Sequence, residues 1–291
     1  MRDANKINYQ FSTKNIHLPS REIKIGDLRK IWNMLLVKVK ESADLQFNQI
    51  EKPADLSEEE FRKRIEAQRE SITLNGFILG TDGSNRLFSG EEIFEESKLP
   101  SEIQTLHLDN HSIHKQNYGF EPIHRFDLVI DFRKQKILDF STPTKSSTLN
   151  LSMLTISGSN STWVNGLEKE VFDFFKEKQK NRNWLFKTST YNVYQWGIAI
   201  PIVFWILFRL EPSIRYMNLS NLLSIAFYLY TSLLAYILCQ IFFTYIKWIF
   251  PYHEMVTEGG KSKKHRKAHL FLISGILLAI IYDILKFLVL N

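Results

Sequence analysis

The sequence predicts an α+β cytosolic domain followed by an all-α membrane bundle of three transmembrane helices. The domain should hold N-terminal helices, an antiparallel sheet meander and a closing amphipathic helix. Three observations carry this reading. Apolar residues recur at three and four from Leu28 to Ala43 and from Trp163 to Phe175. The period is two across much of Ile72 to Thr155. Three long apolar runs, at about 193–210, 222–250 and 268–290, fill the C-terminal part of the chain. Each is close to or above the roughly 17–25 residues a helix needs to cross a bilayer, where every backbone polar group must bond within its own segment.

In chain order, residues 1–20 are polar and read as a loose tail or an edge strand, and the domain is placed at 21–182. Asp27 stands where a cap would open the first helix, with Leu28, Ile31, Trp32, Leu35, Leu36, Val39 and Ala43 as its apolar stripe. Ser57 with Glu60 fits a capping box for a short, highly charged helix. Strands are expected at ITLNGFILG, RLFSG, EIQTLHLD, HRFDLVIDFR and KILDF, and once more around Leu149 to Thr155. In the fourth of these, Phe126, Leu128, Ile130 and Phe132 point one way and Asp127, Asp131 and Arg133 the other. The polar face of that strand, Asp127 included, reads as solvated. A helix after Asn160–Ser161 presents Trp163, Val164, Leu167, Val171, Phe174 and Phe175 as one stripe. In outline a meander closed by such a helix resembles pleckstrin-homology-like barrels; no motif accompanies the outline, and no binding residue is carried across.

Residues 183–192 read as a juxtamembrane link, in which Trp184 and Phe186 are candidate interface anchors. Lys176, Lys178, Lys180, Arg182 and Lys187 precede the first run, and Lys261, Lys263, Lys264, Arg266 and Lys267 lie between the second and third. Basic flanks favour the cytosolic side, so the expectation is a multi-pass inner-membrane protein with its N-terminal domain inside and its C-terminus outside. The net charge of +6 concentrates in the membrane half: residues 191–291 carry nine Lys/Arg against four Asp/Glu, leaving +1 for the rest. The near-balanced domain excludes a large basic face for nucleic acid. The lone cysteine, Cys239, excludes an intramolecular disulfide. The first residues lack an apolar core, so no cleavable signal peptide is expected.

Four sets of residues are candidates for function. Ser224, Tyr228, Ser232, Tyr236, Gln240 and Thr244 recur every four residues on the second run, as a packing ridge or as the wall of an oligomeric pore. Asp283 and Lys286, three apart on the third run, are intramembrane charges able to pair. The five basic residues at 261–267 should meet anionic lipid. The match of Gly260-Lys261-Ser262 to a phosphate-binding loop fails, because Met255 occupies the required glycine position and no strand precedes it. His107, His111 and His114, with Asp109, form the one metal-like cluster, at no standard zinc spacing.

The layout resembles that of bacterial membrane effectors, including those of phage-defence systems. The expectation is a non-enzymatic sensor or effector without cofactor. Its domain would bind a cytosolic protein or small ligand, and its spans would self-associate in the lipid bilayer and perturb it. An adaptor whose spans only localise a protein-binding domain is the alternative. A membrane-tethered metal hydrolase using the three histidines is the third reading.

Overall fold

The computed structural model describes residues 11–48, 50–134, 137, 151–179, 182–256, 265–268 and 271. They divide into two compact units, one built on a sheet and one on two long helices.

The first unit contains a six-stranded sheet in the order β1-β7-β6-β5-β3-β4, with every neighbouring pair antiparallel. Its strands are β1 (Ser12–His17), β3 (Asn75–Gly80), β4 (Asn85–Phe88), β5 (Ile103–Asp109), β6 (Arg125–Asp131) and β7 (Met153–Gly158). The two-residue alternation is met in β6: Phe126, Leu128 and Ile130 are buried, and Asp127, Val129 and Asp131 are half-buried on the opposite face. Leu106 and Leu108 of β5 and Leu154 and Ile156 of β7 share the buried face by register. The sheet is open, with β1 and β4 at its two edges, so the barrel outline is not realised among the described residues. The expected tail enters the sheet as edge strand β1 from Ser12 onward, and most of KILDF lies outside the described residues.

Helices α1 (Ile25–Phe47) and α4 (Ser161–Glu177) supply the apolar stripes of the same core. The Trp163 indole N–H donates to the Lys38 carbonyl at 3.2 Å, which ties α4 to α1. Asn160 caps α4 by accepting the Trp163 N–H at 3.0 Å. Helix α2 (Glu58–Ser71) opens with the expected box, Glu60 N–H to Ser57 Oγ and Ser57 N–H to the Glu60 carboxylate, both at 3.2 Å. Asp27 is not the cap of α1. It sits one turn inside, where its carboxylate reaches back to the Lys24 N–H at 3.0 Å and meets the buried Arg21 guanidinium at 3.1 Å. Two 3-10 turns, Glu91–Phe94 and Glu96–Lys98, follow β4. A short helix α3 (Ser112–Tyr118), stopped by Gly119 at φ +79°, follows β5.

Strand β8 (His253–Met255) has no counterpart in the sequence reading. It follows the second long helix and pairs in parallel with β2 (Arg21–Ile23), Arg21 opposite His253, Glu22 opposite Glu254 and Ile23 opposite Met255. The chain thus leaves the first unit after Asn183 and re-enters it at Tyr252.

Between those points run two helices long and apolar enough to cross a membrane, Thr188–Tyr216 and Asn221–Ile249, each of 29 residues. At about 1.5 Å per residue each spans roughly 43 Å, more than a hydrocarbon core of about 30 Å. The first begins five residues before the expected span and absorbs the second half of the link. Inside it, Gln195–Ala199 is wound as a π turn immediately before Pro201. Proline has no N–H for a carbonyl four residues back, and its ring crowds that carbonyl; a widened turn relieves the crowding. Asn218, at φ +46°, reverses the chain between the two helices. Only 11% of each apolar window is buried, so most of both surfaces lacks a protein partner among the described residues. The third apolar run lies almost wholly outside the described residues.

Candidate functional site

On the face of the sheet away from the core, β5 and β6 bring His107 beside Asp127, two residues offset in register. The Asp127 carboxylate bridges two imidazoles: Oδ1 lies 2.8 Å from His107 Nε2, and Oδ2 lies 3.1 Å from His111 Nε2. His111 arrives from the loop before α3, which is held in place by two neighbours. Asp109 Oδ1 accepts the His111 N–H at 3.0 Å, the Ser112 N–H at 2.8 Å and the Ser112 hydroxyl. The buried Asn110 side chain donates to the His124 carbonyl at 3.0 Å and accepts the Phe126 N–H at 2.9 Å, locking the loop to β6. One ligand atom from each of His107, Asp109 and Asp127 lies within 4.8 Å of the others. Burial would raise the Asp127 carboxyl, but hydrogen bonds from His107 and His111 outweigh it and hold the group well below the ordinary carboxylate range. The same hydrogen bond pushes His111 up, against its burial.

The sequence pointed to His107, Asp109 and His111 and passed over Asp127, whose position was read as solvated. Its signal is the pairing of β5 with β6, which sequence periodicity does not contain. His114 is turned elsewhere. Its Nδ1 lies 2.6 Å from the Ser71 hydroxyl, and its ring packs against Tyr118 and Phe120 at 5.0 and 5.1 Å between centroids. Burial lowers the pKa of His114, and likewise that of His124, whose Nε2 accepts the Asn160 N–H at 3.1 Å.

In the second unit, the six residues of the polar row are all half-buried, whereas Leu222, Leu223, Ile225, Leu229, Leu233, Leu234 and Leu238 on the same helix are exposed. The row therefore lies toward the side of the helix that carries the buried Ala235, Cys239 and Phe243. Tyr236 and Gln240 lie beside the Tyr191 hydroxyl of the first helix. One turn on, the Tyr194 hydroxyl donates to the Cys239 carbonyl at 2.6 Å, and its ring stacks on Phe243 at 4.5 Å. Ser232 and Thr244 donate to carbonyls one turn back in their own helix, Tyr228 at 2.6 Å and Gln240 at 2.9 Å.

Where the chain leaves and re-enters the first unit, Arg182 pairs with Glu22 of β2 and, at 3.4 Å, with Glu254 of β8. His253 is buried there with its ring against Phe175 at 5.8 Å. Trp184 is exposed and Phe186 buried, in a 3-10 turn at Asn183–Phe186. Of the basic loop, Arg266 and Lys267 are described: Lys267 is exposed, and the Arg266 guanidinium lies over the Phe250 ring at 5.7 Å. Lys261, Lys263, Lys264, Asp283 and Lys286 lie outside the described residues.

Comparison with protein-family models, with curated proteins and with solved structures finds no match.

Proposed function

We propose that the chain is a membrane-inserted sensor-effector without enzymatic activity. In this reading the sheet domain receives a cytosolic protein or small ligand, and the apolar helices, associating with those of other copies, perturb the bilayer. One observation carries the reading. The two helices form a hairpin whose ends are both built into the domain, by Arg182 before it and by β8 after it. A tether that only localises the domain needs one flexible connection. Two connections, one before and one after the hairpin, let a change at β2 reach both helices at once.

The same connectivity supports the orientation. A hairpin that starts and finishes in one domain crosses the membrane twice and leaves both of its flanks on one side. Those flanks are the basic ones, Lys176 to Lys187 and Lys261 to Lys267, as expected of the cytosolic side. The run at 268–290 then supplies a third crossing, with the C-terminus outside, where Asp283 and Lys286 would lie near the outer surface. The exposed Trp184 would sit at the inner interface, and Lys261, Lys263, Lys264 and Lys267 would meet anionic headgroups.

The polar row takes part in holding the hairpin closed, through Tyr191, Tyr236 and Gln240. Membrane perturbation would then require the two helices to part, presenting Ser232, Tyr236 and Gln240 to a water-filled path between copies. The test is ion leakage on overexpression in cells. Replacing those three residues with Leu abolishes leakage under this reading, and unchanged leakage rejects it. Exchanging the hairpin for an unrelated one separates the adaptor alternative, since an adaptor keeps its activity after the exchange.

A further inference from the structure

We propose that His107, Asp109 and Asp127, with His111 beside them, bind a divalent transition cation of the zinc class. The four side chains come from β5, the loop before α3, and β6, so no short sequence motif announces them. Both imidazoles aim Nε2 at the two oxygens of one carboxylate, at 2.8 and 3.1 Å. In a tetrahedral zinc site with arms of about 2.0–2.1 Å, neighbouring ligand atoms stand about 3.3 Å apart. One ligand atom from each of His107, Asp109 and Asp127 already lies within 4.8 Å of the others, so a cation has to draw them together by at most about 1.5 Å.

The donor set selects the metal. An imidazole with two carboxylates suits zinc and its first-row neighbours, whereas calcium and magnesium favour all-oxygen shells. The surroundings are built to hold the ligands still. Asp109 Oδ1 is fixed by two backbone N–H groups and the Ser112 hydroxyl, and Asn110 pins the loop that carries His111. His111, which holds Asp127 from beside this set, is more enclosed than His107, and its Nδ1 has no protein partner among the described residues. His107 and Asp127 are each about one-third exposed, at 35% and 37%, so an ion has a path in from solvent.

This inference stands apart from the membrane reading, and its failure would leave that reading as it is. The test uses the full-length, tag-free chain in detergent, equilibrated with zinc chloride, dialysed, and assayed for metal by mass spectrometry. One zinc per chain is expected, with no retention of magnesium and a rise in the thermal midpoint when zinc is added. Asp127→Asn keeps the shape of the side chain and removes its charge; it should weaken zinc at least tenfold, as should His107→Ala. His114→Ala, outside the cluster, should bind as the parent does. Absence of zinc from the parent chain at micromolar free metal overturns the proposal. So does undiminished zinc in both Asp127→Asn and the His107→Ala/His111→Ala pair. Circular dichroism of each variant establishes that a loss of metal is not a loss of fold.

Discussion

Arg21 and His253 stand opposite each other across the parallel β2–β8 pair, and each side chain is only 1% exposed. They are stabilised differently. The guanidinium meets Asp27 at 3.1 Å and lies 3.9 Å over the Phe174 ring. The imidazole has no hydrogen-bond partner for either nitrogen among the described residues and packs against Phe175 and Tyr252. Burial pushes the His253 pKa down to about 3.

Acid should therefore act on the β2–β8 pair first. The lowered pKa means that the unfolded chain takes up a proton at His253 near pH 6.5 while the folded chain does not. Stability contributed by the neutral ring is full above pH 6.5 and falls as pH drops toward 3, by roughly 5 kcal/mol over the whole window. His253→Phe keeps the apolar packing and should remove most of that slope, as read by chemical denaturation of the full chain at pH 7, 5.5 and 4.

At the His107–Asp127–His111 cluster the sign is opposite. The raised His111 pKa contributes stability that is complete below its ordinary value of 6.5 and is lost as pH rises through the higher folded value. Asp127→Asn should flatten this dependence and cost about 1 kcal/mol near pH 6, a modest figure because the carboxylate is about one-third exposed and screened. A histidine titration by nuclear magnetic resonance, in the absence of metal, would read His111 returning toward 6.5 in the variant.

Arg182→Ala removes the cation that joins Glu22 to Glu254. Both carboxylates stay in place, one on each of two adjacent strands, and the expected cost is about 2–4 kcal/mol. The loss should be local, so hydrogen exchange at residues 252–256 and 21–23 should accelerate at least tenfold while β5 and β6 keep their protection. Equal acceleration throughout the sheet would mean that Arg182 stabilises the whole domain rather than this junction.

Cys239, the single cysteine, is buried in the helical hairpin, and its carbonyl accepts the Tyr194 hydroxyl. It is a built-in reporter of closure. Tyr194→Ala removes that bond and the stacking on Phe243, and should speed maleimide labelling of Cys239 several-fold in detergent. Trp205→Ala, at an exposed position on the first helix, should leave the labelling rate as it is.

What could be read from the sequence follows the range of each signal. Strand β6 and helix α4 announce themselves because their alternation and stripe run over many residues. The three residues of β8 are too few for any period, and their partner lies more than two hundred positions earlier. Helix α3 is seven residues long, and its plainest mark is Gly119 at its end. Asp127 looked like one polar residue on a solvated face because the imidazoles that claim it belong to β5 and to a loop. Asp27 was placed as a cap, since a carboxylate at a helix start serves equally well at the first position or one turn inside. The polar row was visible as spacing, but only the first helix of the hairpin tells which side it turns to.

Strand β8 sets an order on how the chain is made. A ribosome releases β2 early and β8 only after both long helices have been synthesised, so the β2–β8 pair cannot form until the hairpin is complete. Closure of this edge of the first unit is thereby tied to synthesis of the second, and a chain that stops short of His253 leaves Ile23 without its strand partner.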